Sequence, residues 1–305
     1  MIRAALTAAS AELAGVSDTP RLDAELLMAH ALGTTRDQLL MRHLDEPTPD
    51  AFAPFLARRM AHEPLAYITG TRDFWTITLN VAPGVLIPRP DSETLIEAAV
   101  AHFGKVGPVH VLDLGTGSGA LLLAALAQWP DAQGLGIDAS DVALNIAMGN
   151  ATALGMANRA TFQKGDWAQG LSLSDCTPYL CRPYLERRDS PQGTVPALRQ
   201  FDLILCNPPY VETTAKLAPD VSDYEPASAL YAGVDGLDDY ARIIPQLPAL
   251  IAPAGLIAME IGATQAQAVT AIFDQNNLLV TRAHDLAGRP RALLHFALGF
   301  GAQPD

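Results

Sequence analysis

Apolar positions over the first sixty residues recur every three or four places. Ile2, Ala5, Leu6, Ala9 and Leu13 share one helical face. Leu22, Leu26, Leu27, His30 and Ala31 share a second, which Gly33 ends, and a third helix starting near Thr48-Pro49-Asp50 carries Phe52, Phe55, Leu56 and Met60. These stripes predict a small all-helical domain over residues 1–63, its apolar faces forming its own core. Helical periodicity breaks over His62–Gly70. Phe74–Val81 then alternates as one strand of a hairpin, and Pro83-Gly84 fits a turn, so residues 64–85 read as a hairpin linker. Asp91 or Ser92 caps a helix running to about Phe103.

From Val109 the pattern changes to strand–helix alternation. Strands are expected at Val109–Leu114, Gly134–Ile137, Ala160–Gln163, Phe201–Cys206, Gly255–Glu260, Leu278–Ala283 and Ala292–Leu298. Helices are expected at Leu121–Gln128, Val142–Leu154, Tyr240–Ile251 and Gln265–Gln275. Such alternation implies a doubly wound, mostly parallel seven-stranded sheet over residues 86–305. The connection Asp285–Arg291 is too short for a parallel crossover, so the final strand should be antiparallel. One stretch, 168–200, has little periodicity, several prolines and the charge run Glu186-Arg187-Arg188-Asp189; a loop that long is functional or disordered, and it reads best as an irregular insertion that is disordered or loosely packed.

Composition narrows the partners. The 305-residue chain has a formal net charge of -13 and no lysine- or arginine-rich run, which disfavours nucleic acid as the main partner. The three cysteines, Cys176, Cys181 and Cys206, form no zinc-type spacing, so no metal is expected. Few cysteines and no signal peptide point to the cytoplasm. No apolar run approaches the length of a membrane span. His30, His43, His62 and His102 show no pairing suited to general-base work.

Two motifs carry candidate chemistry. Asp113-Leu114-Gly115-Thr116-Gly117-Ser118-Gly119 follows a strand and opens a helix. Its glycines allow close backbone approach to a ligand, and the helix N-terminus adds N–H donors and positive potential. A glycine loop of this kind alone also fits a dinucleotide site. Asp138 ends the next strand, where a carboxylate accepts ribose hydroxyls; its alternative role is capping the following helix. Asp166 and Trp167 end the third strand. Asp166 could accept from an adenine amino group beside the Trp167 ring, the alternative being a buried Trp and a surface Asp. The second motif is Asn207-Pro208-Pro209-Tyr210. Two prolines cannot continue a central strand, so the chain leaves the sheet in a stiff elbow that carries an amide and an aromatic side chain. By itself this could merely end a strand. Four strand ends nevertheless converge on one edge of one sheet, where such folds bind ligands.

Asp-Leu-Gly-Thr-Gly-Ser-Gly, the acidic end of the next strand and Asn-Pro-Pro-Tyr resemble a class I S-adenosylmethionine-dependent methyltransferase acting on a planar nitrogen. Several further stretches narrow the resemblance: Arg21–Leu27, Glu63–Gly70, Leu86–Glu93, Gly165-Asp166-Trp167, Glu225-Pro226, Ala232–Leu237 and Asp285–Arg291. With them the chain is similar to the peptide chain release factor glutamine methyltransferases, the HemK-type family, over almost its whole length. Residues 168–200 depart from that family, which usually has a shorter link there.

The resemblance implies methylation of the glutamine side-chain amide in the Gly-Gly-Gln loop of release factors. S-adenosyl-L-methionine would be the methyl donor and S-adenosyl-L-homocysteine the product. Residues 1–63 are expected to dock the protein substrate, since the catalytic sheet alone offers only a pocket, and a monomeric enzyme with no direct nucleic-acid partner is expected. Asn207, Pro208 and Tyr210 would be catalytic, and Asn207, Pro208, Pro209 and Tyr210 would hold the substrate. Gly115, Thr116, Gly117, Ser118, Gly119, Asp138, Asp166, Trp167 and Asn207 would hold the cofactor. The nearest rival is an adenine-N6 methyltransferase on DNA or RNA, which uses a similar motif; the missing basic stripe and the N-terminal match argue against it. Arg89 and Glu93 are expected to shape the rim of the site or to cap and pair locally, Glu225 to hold the loop after Tyr210, and Cys206 to be a small core residue.

Overall fold

Alternating apolar residues on seven short strands build one sheet in a computed structural model that describes residues 1–169, 171, 200–285 and 287–298. A separate two-stranded hairpin comprises β1 (Thr71–Phe74) and β2 (Ile77–Asn80). The large sheet comprises β3 (His110–Leu114), β4 (Gln133–Asp138), β5 (Ala160–Lys164), β6 (Phe201–Cys206), β7 (Ile251–Glu260), β8 (Thr281–His284) and β9 (Pro290–Phe296). Its order is β5-β4-β3-β6-β7-β9-β8. Strands β3 to β7 are parallel, and β9 runs antiparallel to both β7 and β8, as the alternation predicts. The chain steps from β3 out to β5 and then returns to the far side of β3. The topological switch point, where doubly wound sheets open a crevice, therefore lies between β3 and β6.

Side chains from successive strand positions enter opposite cores, as the pleat requires. Val111, Leu203, Leu205, Leu256 and Ala258 pack with the helices Glu93–Phe103 and Ala120–Gln128. Leu112, Leu114, Ile204, Cys206, Ile257 and Met259 pack on the other face with Asp238–Ile243 and Ala266–Gln275. Burial on both faces explains why these strands read as continuous apolar runs.

Several expected boundaries differ. The helix expected over Tyr240–Ile251 is the short α-helix Asp238–Ile243 followed by a 3-10 turn Ile244–Ala249, because Pro245 and Pro248 offer no N–H. β7 begins at Ile251 rather than Gly255. β8 begins only at Thr281: Leu278 is buried, and Asn277 before it has a left-handed φ of 58°. The Phe74–Val81 stretch is not one strand, since the hairpin turns at Trp75, whose φ is 53°. Of 168–200, only residues 168, 169, 171 and 200 are described, so the expected disorder there lies outside the described residues.

By contacts, residues 1–72, 81–83 and 216–226 form one unit and the remainder a second. In the first, Ile2, Leu6, Ala9, Leu13, Leu27, Met28 and Phe52 make a core among the helices Ile2–Leu13, Pro20–Leu32 and Phe52–Met60. Gly33 ends the second helix with a left-handed φ of 64°. The short helix Leu65–Thr69 and the helical segments Arg36–Gln38 and Leu39–His43 add to it, none of which the periodicity had indicated. The buried face of Pro20–Leu32 is also rotated from expectation. Leu22 and His30 are exposed, while Asp23 and Glu25 are buried. Ion pairs permit this: Arg59 Nε lies 2.8 Å from Asp23, and Arg21 and Arg36 hold Glu25 at 2.6 and 2.7 Å. Segment 216–226 joins the unit through Asp220, 3.9 Å from Arg59, and through the Tyr224 hydroxyl, which donates to the Ala61 carbonyl at 2.7 Å.

Candidate active site

The parallel register aligns Leu114 with Ile137 and Cys206, and Cys206 with Met259. The glycine loop after β3, Asp138 at the end of β4, Trp167 after β5, Asn207 after β6 and Glu260 at the end of β7 therefore share one edge. The predicted residues are brought together because the strands carrying them are parallel neighbours.

In the glycine loop, Gly115, Gly117 and Gly119 have φ of 74°, 55° and 84°, values that other residues rarely adopt. The loop is closed on itself. Gly115 and Thr116 N–H groups donate to the Ile137 carbonyl, Gly117 N–H to Asp138 Oδ2 at 2.9 Å, and Gly119 N–H to the Thr116 carbonyl. These four N–H groups are used by the chain, so the loop itself contributes close approach more than hydrogen bonding. Ser140, not Asp138, caps the helix Asp141–Ala153, with its hydroxyl accepting from Ala143 N–H. Asp138 Oδ1 accepts from Ser140 N–H at 2.9 Å, so Asp138 braces the start of that helix through its cap residue while its other oxygen holds the glycine loop.

Trp167, at a left-handed φ of 55°, lies beside Gly115: a Cβ there would be 2.9 Å from the indole. Its Nε1–H donates to Asp239 Oδ1 at 3.2 Å. Arg242 bonds the same Asp239 oxygen at 3.2 Å and reaches both Asp166 oxygens, at 2.6 and 2.5 Å. Asp166 is thus turned toward Arg242, and the pair fixes the residue that precedes Trp167.

Asn207 and Tyr210 are half-buried, and Pro208 and Pro209 buried. Asn207 Nδ2 donates to Ser92 Oγ at 3.0 Å, Ser92 donates to Glu260 Oε2 at 2.5 Å, and the Tyr210 hydroxyl donates to Glu260 Oε1 at 3.4 Å. Among the described residues Asn207 Oδ1 accepts no hydrogen bond. Glu260 is fully buried; burial pushes its carboxyl up to about 7, although Ser92 and Arg291 pull it down. Burial likewise raises the Tyr210 phenol, Glu260 adding to it, so Tyr210 stays protonated. Asp113, buried under the glycine loop, is pushed up to about 7 despite bonds from Thr116 and Leu122. Cys206 is fully buried, and burial raises its thiol well above the ordinary value, which suits a core residue and not a nucleophile.

The exit from Tyr210 is also held. Gln265 Nε2 donates to the Tyr210 carbonyl at 3.0 Å, and Val211 pairs with the stretch Leu230–Ala232. A Cβ at Gly236, whose φ is 71°, would lie 2.3 Å from that same carbonyl. The Ala232–Leu237 stretch is therefore needed for close packing behind the elbow. Glu93 accepts from Trp75 N–H at 2.9 Å and so anchors the hairpin turn. Asp91 lies 2.8 Å from Arg291.

Comparison with known proteins bears on this edge. Residues 107–282 match a family described as "Methyltransferase domain", and residues 4–70 match "PrmC N-terminal domain". The chain is 40% identical to the release factor glutamine methyltransferase of Rhodospirillum rubrum, over 93% of this chain and 80% of that protein. It is 38% identical to the protein of the same name from Mycolicibacterium smegmatis, over 95% of each. The chain belongs to the release factor glutamine methyltransferase family. Among solved structures, a methyltransferase from Pyrococcus furiosus superposes with a TM-score of 0.51 at 13% identity, covering 81% of this chain and 99% of that one. The hMettl16 catalytic domain, solved with an RNA hairpin, gives 0.54 at 15% identity over 80% of this chain and 84% of that one. At such identities these two speak for the methyltransferase fold alone.

Seen as a member of that family, the chain spends its motifs in two ways. Asn207–Tyr210 and the glycine loop lie at the strand ends. In Arg21–Leu27 the charged side chains instead hold the helical unit together, and in Asp285–Arg291 the Asp285 carboxylate organises a turn. It accepts from Ala287 and Arg289 N–H groups and from the Arg289 side chain, and these bonds, the Arg289 N–H foremost, lower it to about 2. Ser92, Glu260, Gln265 and Asp239 were not singled out from sequence as site residues. Glu260 was within reach, because it ends a strand at the edge where the other candidates end theirs. Ser92 was read as a helix cap, but its backbone is already helical and its hydroxyl turns inward to Glu260.

Proposed function

We propose that this protein methylates the side-chain amide nitrogen of the glutamine in the Gly-Gly-Gln loop of peptide chain release factors, with S-adenosyl-L-methionine as donor. The observation that carries the reading is Asn207, at the switch point, with its NH₂ engaged by Ser92 and its Oδ1 unused. Family membership supports the reading over an adenine-N6 activity, because the relatives at 33–40% identity are named for release factors.

The strand ends fit the cofactor. Three glycines at positive φ make a loop with no side chains of its own, Gly115 lies against the Trp167 ring, and Asp138 carries carboxylate oxygens suited to ribose hydroxyls. Gly115, Thr116, Gly117, Ser118 and Gly119 would line the methionine and ribose portion. Trp167 would lie beside the adenine, with Asp166 as an acceptor for its amino group and Asn207 at the reacting end. When bound, the cofactor supplies an electrophilic sulfonium methyl.

An amide nitrogen is a poor nucleophile because its lone pair is delocalised into the carbonyl. Asn207 Oδ1 and the Pro208 carbonyl accept its two N–H groups and turn the nitrogen face toward the methyl. Orientation of this kind lowers a barrier by several kcal/mol, roughly. As the amide nitrogen takes the methyl that the bound donor would supply, positive charge would develop on nitrogen. The two acceptors stabilise it, and the Tyr210 ring presents its negative face. The N–H proton then passes to solvent, leaving methylglutamine and S-adenosyl-L-homocysteine. Pro208 and Pro209 hold the acceptors stiffly.

The test is incubation with a release factor and labelled S-adenosyl-L-methionine, read by mass spectrometry of the Gly-Gly-Gln peptide. One methyl on the glutamine is expected. Transfer to DNA or RNA adenine instead, with none to the peptide, would refute the reading. We further assign protein-substrate docking to the helical unit and a cytoplasmic setting to the enzyme, where release factors act.

A further inference from the structure

Behind Asn207 lies a buried chain of polar groups drawn from three distant parts of the sequence. Ser92 is 4% exposed and Glu260 0%. Ser92 sits at the start of the helix Glu93–Phe103 and Glu260 at the end of β7, and Ser92 links the elbow's amide to Glu260. A hydroxyl has one hydrogen to give. In Ser92 the carboxylate of Glu260 takes it, since an ionised carboxylate only accepts and the 2.5 Å contact is short. Ser92 therefore shows Asn207 only lone pairs. Of the two ends of the Asn207 amide, only the NH₂ can meet them. The opposite end, Oδ1, must then face the crevice. This conclusion rests on donor and acceptor counting with Glu260 ionised, above the value of about 7 to which burial pushes its carboxyl, and there it holds whichever way the amide atoms are assigned.

We propose that Ser92 and Glu260 are positioning residues that hold the Asn207 amide in the one orientation able to accept a substrate N–H. The inference rests on the amide-methylation reading above and explains how the enzyme keeps Asn207 from presenting its NH₂ to a substrate NH₂, where donor would meet donor. Tyr210 is tied to the same carboxylate at 3.4 Å, and the Tyr240 hydroxyl donates to the Glu260 carbonyl at 3.0 Å. Glu260 thus sets both functional side chains of the elbow from one buried point. The charged and titratable groups around it are Tyr210, Tyr240, Cys206, Arg291 and Asp91. Among them Arg291 supplies the compensating positive charge.

The experiment compares wild type, Ser92→Ala, Ser92→Thr and Glu260→Gln with a release factor as substrate, at a pH well above the value of about 7 at which Glu260 titrates. Loss of one orienting hydrogen bond predicts a kcat about tenfold lower or more for Ser92→Ala, with KM and cofactor Kd within about twofold. Ser92→Thr keeps the hydroxyl and should recover most of that loss, and Glu260→Gln should lower kcat without lowering the melting temperature to match. A Ser92→Ala kcat equal to wild type would overturn the proposal. So would equal loss in the Ala and Thr variants when both melt as wild type does, because the hydroxyl would then not be the cause. If the wild type itself transfers no methyl to the release factor, the functional reading fails and the proposal falls with it; transfer by wild type with an indifferent Ser92→Ala refutes the proposal alone.

Discussion

Asp113→Asn should change how stability depends on pH more than it changes stability itself. Asp113 is 1% exposed; its Oδ2 accepts from Thr116 Oγ1 at 2.7 Å and from Leu122 N–H at 3.3 Å, while Oδ1 has no partner among the described residues. Burial raises its carboxyl from 3.8 to about 7. Between those values the folded chain keeps a proton that the unfolded chain releases. The associated stability is full below about pH 4, falls as pH rises through about 7, and is flat above. A shift of roughly three units at about 1.4 kcal/mol each amounts to about 4 kcal/mol across the window. The asparagine variant has no such dependence. It carries instead a pH-independent penalty of about 1–3 kcal/mol, because an amide must place a group where Oδ1 now has no partner. Urea unfolding of the ligand-free protein, repeated from about pH 4.5 to about pH 8, should therefore show the variant clearly weaker in acid and close to wild type, or above it, in base. Glu260 titrates in the same window in both proteins, so the difference between the two curves isolates Asp113. Parallel curves would refute the reasoning, since they would mean that Asp113 is already ionised in the folded protein at low pH.

The elbow and the helical unit supply the remaining tests. Asn207→Ala removes an acceptor from the developing charge and should lower kcat about 100-fold or more, with S-adenosyl-L-methionine binding by calorimetry within a few-fold of wild type. Unchanged turnover would contradict the mechanism. Arg59→Ala leaves Asp23 buried without its cation and should destabilise the helical unit by about 3–5 kcal/mol in denaturant unfolding. Deleting residues 1–70 should raise KM for the release factor much more than Kd for the cofactor, and equal losses in both would remove the docking role.

Local signals and strand order were legible to different depths. Apolar runs, proline elbows and glycines are written into adjacent residues, so the seven strands, the glycine loop and Asn207–Tyr210 could be read directly. Helix faces in the N-terminal part were read less well. Asp23 and Glu25 look solvent-facing until Arg59 and Arg36 are known to lie against them, and those partners come from elsewhere in the chain. Proline placement was visible, yet its consequence at Ile244–Ala249, a 3-10 turn in place of a continued helix, was not drawn. The support behind Asn207 was least legible. Ser92 and Glu260 lie 115 and 53 positions from it in opposite directions, so only strand register brings them together.

A shared motif does not by itself mean contact with substrate, and hydrogen-bond accounting separates the cases. The Arg21–Leu27 and Asp285–Arg291 stretches are among those that carry the resemblance to the family, as the elbow is. Yet the Asp23 and Glu25 carboxylates are bound by arginines, and Asp285 accepts from two backbone N–H groups and an arginine. These bonds tie the three carboxylates to the scaffold around them. Asn207 differs in kind. One end of its amide is committed inward through Ser92, and the other is held at the open edge of the sheet with no partner of its own among the described residues. A half-buried polar atom kept unpaired by a fully buried network is stable only where water or a ligand can complete it. In this fold that condition is met at the crevice between β3 and β6, which supports the proposal that the chemistry lies at the elbow, whereas the carboxylates of Arg21–Leu27 and Asp285–Arg291 serve the scaffold.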